Sequence, residues 1–230
     1  HAPYCLPEFR RPQLEESLSR LQLDKIDLYC LHRDNLDVPV KEFIDALNEL
    51  KDEGLINIFG ASNWTLNRFK AACDYADLHD LESFRILSNN FSLARMLEPI
   101  WPGCESCSDE SFKSFLEEKN ILVFPWSSQA RGFFLDHSEF QAHQHIANPN
   151  EQERERVWNS KDNFERRNRC FLLAKEKGVE PIQIVLSFCL QQRFPTFPLI
   201  GPRNIFETTS SVGSFKIDLT KDQINWLDLR

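Results

Sequence analysis

The chain has 230 residues, of which 41% are hydrophobic and 27% are charged, and its formal net charge at pH 7 is −8. This composition predicts one folded domain with a substantial core, and the negative charge argues against nucleic acid and anionic membranes as main partners. No apolar run approaches the roughly 20 residues of a membrane span, and the first residues lack the basic and apolar regions of a signal peptide.

The cysteines indicate the cellular compartment. The seven cysteines lack the spacing of a disulfide framework, and an odd count leaves at least one thiol unpaired. We therefore expect a reducing, cytoplasmic location. Cys104 and Cys107 form an isolated C-x-x-C without a second pair at ligand spacing, so we predict no metal site.

Helices and strands are predicted to alternate along the chain. Short apolar runs predict strands, and amphipathic stretches with a period of about 3.6 residues predict helices. In chain order we predict a helix over 13–21, a strand over 26–31, a helix around 43–50, a strand over 56–60, a helix capped by Thr65, a strand over 84–87, a helix over 111–119 and a strand over 121–125. A helix over 181–192, a strand over 196–200, a helix from about 204 and a short helix capped by Thr220 complete the series.

This alternation predicts an α/β fold with a parallel sheet and right-handed crossovers. Because a closed (β/α)8 barrel needs eight strands and five are visible here, periodicity alone leaves two choices, an open doubly wound sheet or part of a barrel. Both folds place their chemistry at the carboxyl ends of the strands. His32 follows the strand over 26–31, and Ser62 and Asn63 follow the strand over 56–60. We therefore expect these three side chains at one rim of the sheet.

The stretch from Asp136 to Arg169 interrupts the pattern. Acidic, basic, Gln and Asn residues follow one another there without a clean period. We interpret it as a polar insertion with local helix, a loop over the site, within a single domain covering residues 1–230.

Four motifs resemble those of the aldo-keto reductase family and occur in that family's order. SLSRLQLDKIDLYCLHRD resembles the helix that leads into the fourth barrel strand, and GLINIFGASNW is similar to the fifth-strand motif. VFPWSSQARGFF resembles the seventh-strand motif, and FPLIGPRNIFETTSS resembles the eighth-strand motif PIIGxRxxxQLxEN. The resemblance implies the carboxyl-terminal portion of a TIM-type (β/α)8 barrel, with about the first three β/α units absent from this chain.

The resemblance also implies an activity, namely hydride transfer between NADPH and a small aldehyde or ketone. NAD(H) is not excluded as the cofactor. His32 matches the family's histidine, which orients the carbonyl. The family's Asp, Lys and proton-donating Tyr belong to segments that this chain lacks, and Tyr4, Tyr29 and Tyr75 do not fall at the matching place.

The same resemblance assigns residues to the nicotinamide end of the cofactor. Ser62 and Asn63 match the pair that holds the carboxamide. Ser88 stands where the family has Gln, a departure that weakens this contact or passes it to Asn89. Trp126 occupies the place of the aromatic residue that stacks on the nicotinamide ring.

Further residues are assigned to the phosphate and adenine groups. Ser127 and the backbone amides from Gln129 to Gly132 are expected at the pyrophosphate, with Arg131 as a second candidate. Arg203 is expected at the adenosine 2′-phosphate, and Ser211 stands where Asn usually contacts the adenine.

Structural roles remain open beside these assignments: a hydrogen-bonded strand-end His32, Ser62 and Asn63 as helix cap and turn, Trp126 as core, and Arg203 as a solvated residue. Three explanations also remain open for the chain as a whole. It is part of a longer enzyme, a nucleotide-binding regulatory subunit without activity, or a scaffold whose sheet edge is covered by a partner chain or a second copy.

Overall fold

The computed structural model describes Leu6, Glu8 and residues 10–135 and 151–230. Its four strands are β1 (Ile26–Leu31), β2 (Ile56–Ala61), β3 (Ile86–Leu87) and β4 (Leu122–Val123). Its α-helices are α1 (Arg10–Leu21), α2 (Val40–Asp52), α3 (Leu66–Leu78), α4 (Glu110–Glu118), α5 (Glu151–Trp158), α6 (Lys161–Lys177), α7 (Pro181–Leu190), α8 (Ile205–Gly213) and α9 (Lys221–Leu227). Short 3-10 helices cover Ala130–Gly132 and Ser214–Lys216.

The strands form one parallel sheet in the order β1-β2-β3-β4, which confirms the predicted parallel pairing. The register of β1 against β2 runs from Ile26 opposite Ile56 to Leu31 opposite Ala61. Since both strands end at the same level, the residues that follow them start from one edge. The sheet thus brings the polar ends of the first two strands together.

The prediction of a strand over 196–200 is wrong, because the structure has no regular strand there. The segment is joined to β4 by an isolated parallel bridge between Val123 and Thr196, and Phe197 N donates to Val123 O at 2.8 Å. Pro195 and Pro198 flank this bridge, and a proline has no N–H to donate to a ladder. The segment still runs parallel to β4 and lies beside it at the edge of the sheet.

One face of the sheet packs on the helices through buried aromatic residues. Trp64 is fully buried, with ring centroids 5.2 Å from those of both Phe43 and Phe84 in edge-to-face geometry. Phe59 of β2 is also fully buried and meets Phe84 edge-on at 6.2 Å. These contacts fix α2 and α3 against β2, so the start of α3 and the turn before it are rigidly placed.

The opposite face of β1 is open. Side chains alternate along a strand, and Leu28 and Cys30 share the face opposite to Tyr29 and Leu31. Leu28 is 47% exposed and Cys30 is exposed, whereas Leu31 is buried. Because Cys30 lies in an apolar run, the sequence predicts a buried residue, and its exposure shows that this prediction is wrong.

Helix starts follow the predicted capping residues. Thr65 Oγ1 accepts from Arg68 N at 3.3 Å, and Thr220 Oγ1 accepts from Gln223 N at 3.1 Å, so both predicted caps are confirmed. Asn204 caps α8 in the same way.

The predicted insertion is helical over the part that the structure describes. Helix α5 and the first half of α6 occupy residues 151–169, and Trp158 at the end of α5 is fully buried. The loop interpretation falls on residues 136–150, which lie outside the described residues. Across the described ranges, no helix combines the length and apolar character that a membrane crossing requires.

Candidate active site

The carboxyl ends of β1 and β2 meet at a short polar junction. Ser62 N donates to Leu31 O at 2.6 Å, which continues the strand pairing by one residue. Asn63 then adopts φ 60°, and its Nδ2 donates to His32 O at 3.3 Å. Asn tolerates this left-handed conformation better than most residues. His32 and Asn63 therefore lie side by side, as their positions after two neighbouring strands predict.

Hydrogen bonds tie this junction to the next strands. Ser62 Oγ donates to Ser88 O at 2.5 Å, and Ser88 Oγ donates to Phe124 O at 2.8 Å. Asn90 Nδ2 donates to Trp126 O at 3.1 Å. The ends of β2, β3 and β4 thus form one continuous rim, and we use the term rim for His32, Ser62, Asn63, Ser88, Asn90 and Trp126.

His32 carries the imidazole of this rim, and its side chain is exposed. Partial burial and the nearby charge of Arg33 lower the pKa of His32 from its ordinary value of 6.5. This lowering of the pKa favours the neutral form of the imidazole at pH 7. A neutral imidazole offers one N–H donor and one acceptor nitrogen, which suits it to orient a carbonyl oxygen.

The amide of Asn63 is largely occupied within the protein. Its Nδ2 donates to both His32 O and Ser62 Oγ, the latter at 2.8 Å, and its Oδ1 accepts from Glu105 N at 3.2 Å. Both N–H groups are in use, so one lone pair of the oxygen remains for a ligand. Asn63 braces the rim in this structure, and its contact with a cofactor stays a prediction.

The two asparagines after β3 have different roles. Asn89 is fully buried, and its amide spans the backbone of Trp64, accepting from N at 3.2 Å and donating to O at 2.8 Å. The amide of Asn89 braces the backbone of Trp64 in this structure, and its contact with a cofactor in place of Ser88 stays a prediction. Asn90, which binds Trp126 O, is the rim residue that the sequence analysis did not predict. Two successive asparagines after a predicted strand were a sign that polar groups lie at this end of the sheet.

Two buried polar atoms of the rim lack partners among the described residues. Asn90 Oδ1 and Trp126 Nε1 are both shielded from solvent without a hydrogen bond. Such groups are costly, by about 1–3 kcal/mol each, and are normally satisfied by water or a ligand. Asn90 Oδ1 is thus a hydrogen-bond acceptor and Trp126 Nε1 a donor at the rim. A nicotinamide carboxamide has the complementary groups, an N–H donor and a carbonyl acceptor. The chemistry of these two rim groups fits a carboxamide, and the side chain of Trp126 is half-buried.

The turn after β4 has an unusual backbone. Ser127, Ala130, Arg131 and Gly132 all have positive φ, at 50°, 48°, 49° and 86°. Non-glycine residues are rare in this region, and such strain concentrates at functional sites. Successive N–H groups in turns of this type can form a concavity for anions. This backbone supports the pyrophosphate prediction for Ser127 and for the amides from Gln129 to Gly132.

Both arginines predicted to meet phosphates are paired with carboxylates. Arg131 Nε lies 3.0 Å from Glu153 Oε1, and its guanidinium carbon lies 5.3 Å from the centroid of the Trp101 ring. Arg203 Nη2 lies 2.8 Å from Glu207 Oε1. The sequence motifs gave no sign of these partners.

Ser211 joins the turn after β4 to α8. Its Oγ accepts from Gln129 Nε2 at 3.3 Å, and the residue is buried. The residues assigned to pyrophosphate and adenine are therefore in direct contact.

Over the parts of the chain described here, no group of three His, Cys, Asp or Glu residues is placed to hold a metal.

A parallel α/β sheet with polar groups along its carboxyl edge is typical of a class of proteins that bind small molecules at that edge. The family model "Aldo/keto reductase family" matches residues 5–229, and the chain belongs to this family. The resemblance of the four motifs is thereby confirmed.

The relatives extend beyond this chain. It is 26% identical over 229 residues to probable aldo-keto reductase 1 of Glycine max, covering 95% of this chain and 58% of that protein. It is 25% identical over 220 residues to norsolorinic acid reductase stcV of Emericella nidulans, covering 93% of this chain and 51% of the relative. The chain thus spans between half and three fifths of the length of these relatives.

Solved structures show the same fold. The thermostable aldo-keto reductase Tm1743 in complex with the inhibitor epalrestat matches with a TM-score of 0.72 at 18% identity, covering 99% of this chain and 68% of that one. The aldo/keto reductase from Klebsiella pneumoniae in complex with NADP and acetate matches with a TM-score of 0.67 at 19% identity, covering 95% and 63%. The fold is therefore of the α/β TIM-barrel type. The absence of the first three β/α units stays a prediction.

Proposed function

We propose that this protein reduces a small aldehyde or ketone with NADPH, and that this chain supplies His32 and most contacts to the dinucleotide. The observation that carries the proposal is the junction of β1 and β2, where Asn63 Nδ2 lies 3.3 Å from His32 O in a member of the aldo/keto reductase family. The likeness to a family structure in complex with NADP supports the choice of cofactor.

His32 has the chemical role of orienting the carbonyl. When bound, the cofactor supplies a hydride to the carbonyl carbon. The neutral imidazole donates a hydrogen bond to the carbonyl oxygen, which stabilises the negative charge that develops there. The open position of His32 at the rim leaves this side accessible to a substrate.

The described tyrosines are not suited to donate the proton. Tyr75 Oη donates to Asp45 Oδ1 at 3.0 Å, away from the rim. Tyr29 lies on the face of β1 opposite to Cys30 and is partly buried against the core. We therefore assign the proton donor to the Asp, Tyr and Lys segment that the family resemblance implies outside this chain.

Cofactor binding is tested by titrating the purified protein with NADPH while following tryptophan fluorescence. We expect quenching that is largely lost in Trp126→Phe and retained in Trp226→Phe, because the Trp226 ring on α9 packs against Arg169 of α6, with the guanidinium carbon 5.3 Å from its centroid. A carbonyl turnover assay follows, made on the longer protein that carries the proposed proton donor. Binding with turnover supports the proposal, binding without turnover supports the regulatory alternative, and the lack of binding supports the scaffold alternative.

Replacement of His32 by alanine is expected to lower kcat/KM for the carbonyl about 10²-fold while leaving the Kd of NADPH unchanged. His32→Gln retains a hydrogen-bond donor and should recover part of the loss. Because the pKa of His32 is lowered below 6.5, its protonation should affect kcat/KM only under more acidic conditions, and this step should be missing in His32→Gln.

The matched control for His32 is His79→Ala, since His79 ends α3 and its ring packs at a tilt against that of Tyr75, with centroids 4.3 Å apart. It should leave kcat/KM within about twofold, as expected for an exposed surface substitution. Equal losses in both variants would show that His32 has no special role.

A further inference from the structure

We propose that Glu207 sets the preference between NADPH and NADH by competing with the adenosine 2′-phosphate for Arg203. The inference rests on the proposed function. It concerns Glu207 of α8, which is paired with Arg203, the residue predicted to bind the 2′-phosphate. The family resemblance assigns Arg203 to the phosphate but gives no role to Glu207.

The carboxylate of Glu207 occupies the donors that a phosphate would use. Its Oε2 accepts from Arg203 backbone N at 2.7 Å. Its Oε1 accepts from Arg203 Nε at 3.1 Å and from Nη2 at 2.8 Å. Planar guanidinium groups bind carboxylates and phosphates through the same fork of N–H donors. Glu207 therefore acts as an internal anion on Arg203.

The start of α8 holds the carboxylate in this position. Asn204 Oδ1 accepts from Glu207 N at 2.9 Å, which places Glu207 in the first turn of the helix. A negative charge is favoured there by the helix dipole. The Glu207 side chain is 26% exposed and that of Arg203 is 41% exposed, so the carboxylate is the better shielded partner. A ligand must therefore displace or share a pre-formed pair.

The charge of Glu207 distinguishes this chain from the motif that it resembles. The motif PIIGxRxxxQLxEN has a neutral Gln four residues after its Arg, where this chain has Glu207. A glutamine leaves the guanidinium charge uncompensated, whereas the carboxylate cancels it and repels a phosphate with nearly two negative charges. A ribose 2′-hydroxyl, in contrast, can donate a hydrogen bond to a carboxylate.

The test is to measure the Kd of NADP⁺ and of NAD⁺ for the purified wild-type protein and for Glu207→Gln. We expect NADP⁺ to bind about tenfold more tightly to the variant, from the loss of a partly exposed ion pair and of charge repulsion. The affinity of the variant for NAD⁺ should either lie within about threefold of the wild-type affinity or be lower than it, because the variant lacks the carboxylate that would accept from the ribose 2′-hydroxyl. The gain for NADP⁺ should shrink as ionic strength rises.

Two controls isolate the proposed contact. Glu165→Gln makes the same chemical change in another i,i+4 pair, where Arg169 Nε lies 2.7 Å from Glu165 Oε1 on α6, and it should leave both Kd values unchanged. The double variant Arg203→Gln/Glu207→Gln, compared with Arg203→Gln alone, should show a smaller gain for NADP⁺ than Glu207→Gln does in the wild type, because only the charge repulsion is then removed. Thermal unfolding of each variant verifies that it is folded.

The outcomes separate this inference from the proposed function. If both nucleotides bind but Glu207→Gln changes their affinities equally, or weakens NADP⁺, Glu207 is not a specificity residue and the proposed function stands. If neither nucleotide binds to the wild type or the variant, the proposed function is overturned and the inference with it.

Discussion

Gly60→Ala is expected to destabilise the protein by about 3 kcal/mol or more, since the added methyl group has no room. A Cβ on Gly60 would lie 1.9 Å from Ile86 O and 2.6 Å from Ile86 C. These are backbone atoms of the neighbouring strand, so no change of side-chain rotamer relieves the overlap. The strands must separate, and the pairing of β2 with β3 that supports the rim is lost.

The effect of Gly60→Ala is measured by urea unfolding followed by circular dichroism. Gly201→Ala is the matched control, because a Cβ at Gly201 meets no atom within 4 Å. It should change the free energy of unfolding by less than about 0.5 kcal/mol. Similar stability of the two variants would show that β2 and β3 do not approach as closely as described.

Asp228→Asn is expected to cost about 3–5 kcal/mol, because it removes a buried negative charge that pairs with several cations. The side chain of Asp228 is 1% exposed. Its Oδ2 lies 3.2 Å from Lys113 Nζ and 3.1 Å from Arg230 Nε, and its Oδ1 lies 3.9 Å from Arg166 Nε. Arg95 Nη2 also donates to Oδ1. The substitution leaves these cations close together with too little negative charge.

The same carboxylate connects distant parts of the chain. It joins the end of α9 to α4, to α6 and to the segment after β3, which carries Arg95. We therefore expect Asp228→Asn to lower the thermal midpoint and also to expose α9 to proteolysis. Asp218→Asn, at an exposed residue just before α9, is the control and should change stability by less than about 0.5 kcal/mol. A loss below 1 kcal/mol in Asp228→Asn would argue against this role.

The exposed apolar side chains of β1 and of the segment beside β4 raise the question of what covers them in the folded barrel. Leu28 and Phe197 are 47% and 48% exposed, and such apolar side chains are usually covered in a barrel interior. Complementation with β/α units of the same family measures whether such units pair with the edge of β1 and cover this face.

The sequence alone determined the elements that place the site. Continuous apolar runs ending in polar residues predicted β1 and β2, and their parallel pairing put His32 beside Asn63. Thr65 and Thr220 were recognisable as helix caps because their hydrogen bonds reach only three residues along the chain. Local periodicity and burial are encoded in neighbouring residues, so a single sequence carries them.

The tertiary structure alone decided which partner each polar group has. Asn89 binds Trp64 across 25 residues of sequence, and Asp228 meets Arg95 across 133. Arg131 pairs with Glu153 on a helix whose position no local pattern specifies. Such contacts depend on the packing of separate elements, and a residue's type states only that it needs a partner. The sequence therefore located the rim, and the packing of the elements around it determined which rim groups remain available to a ligand.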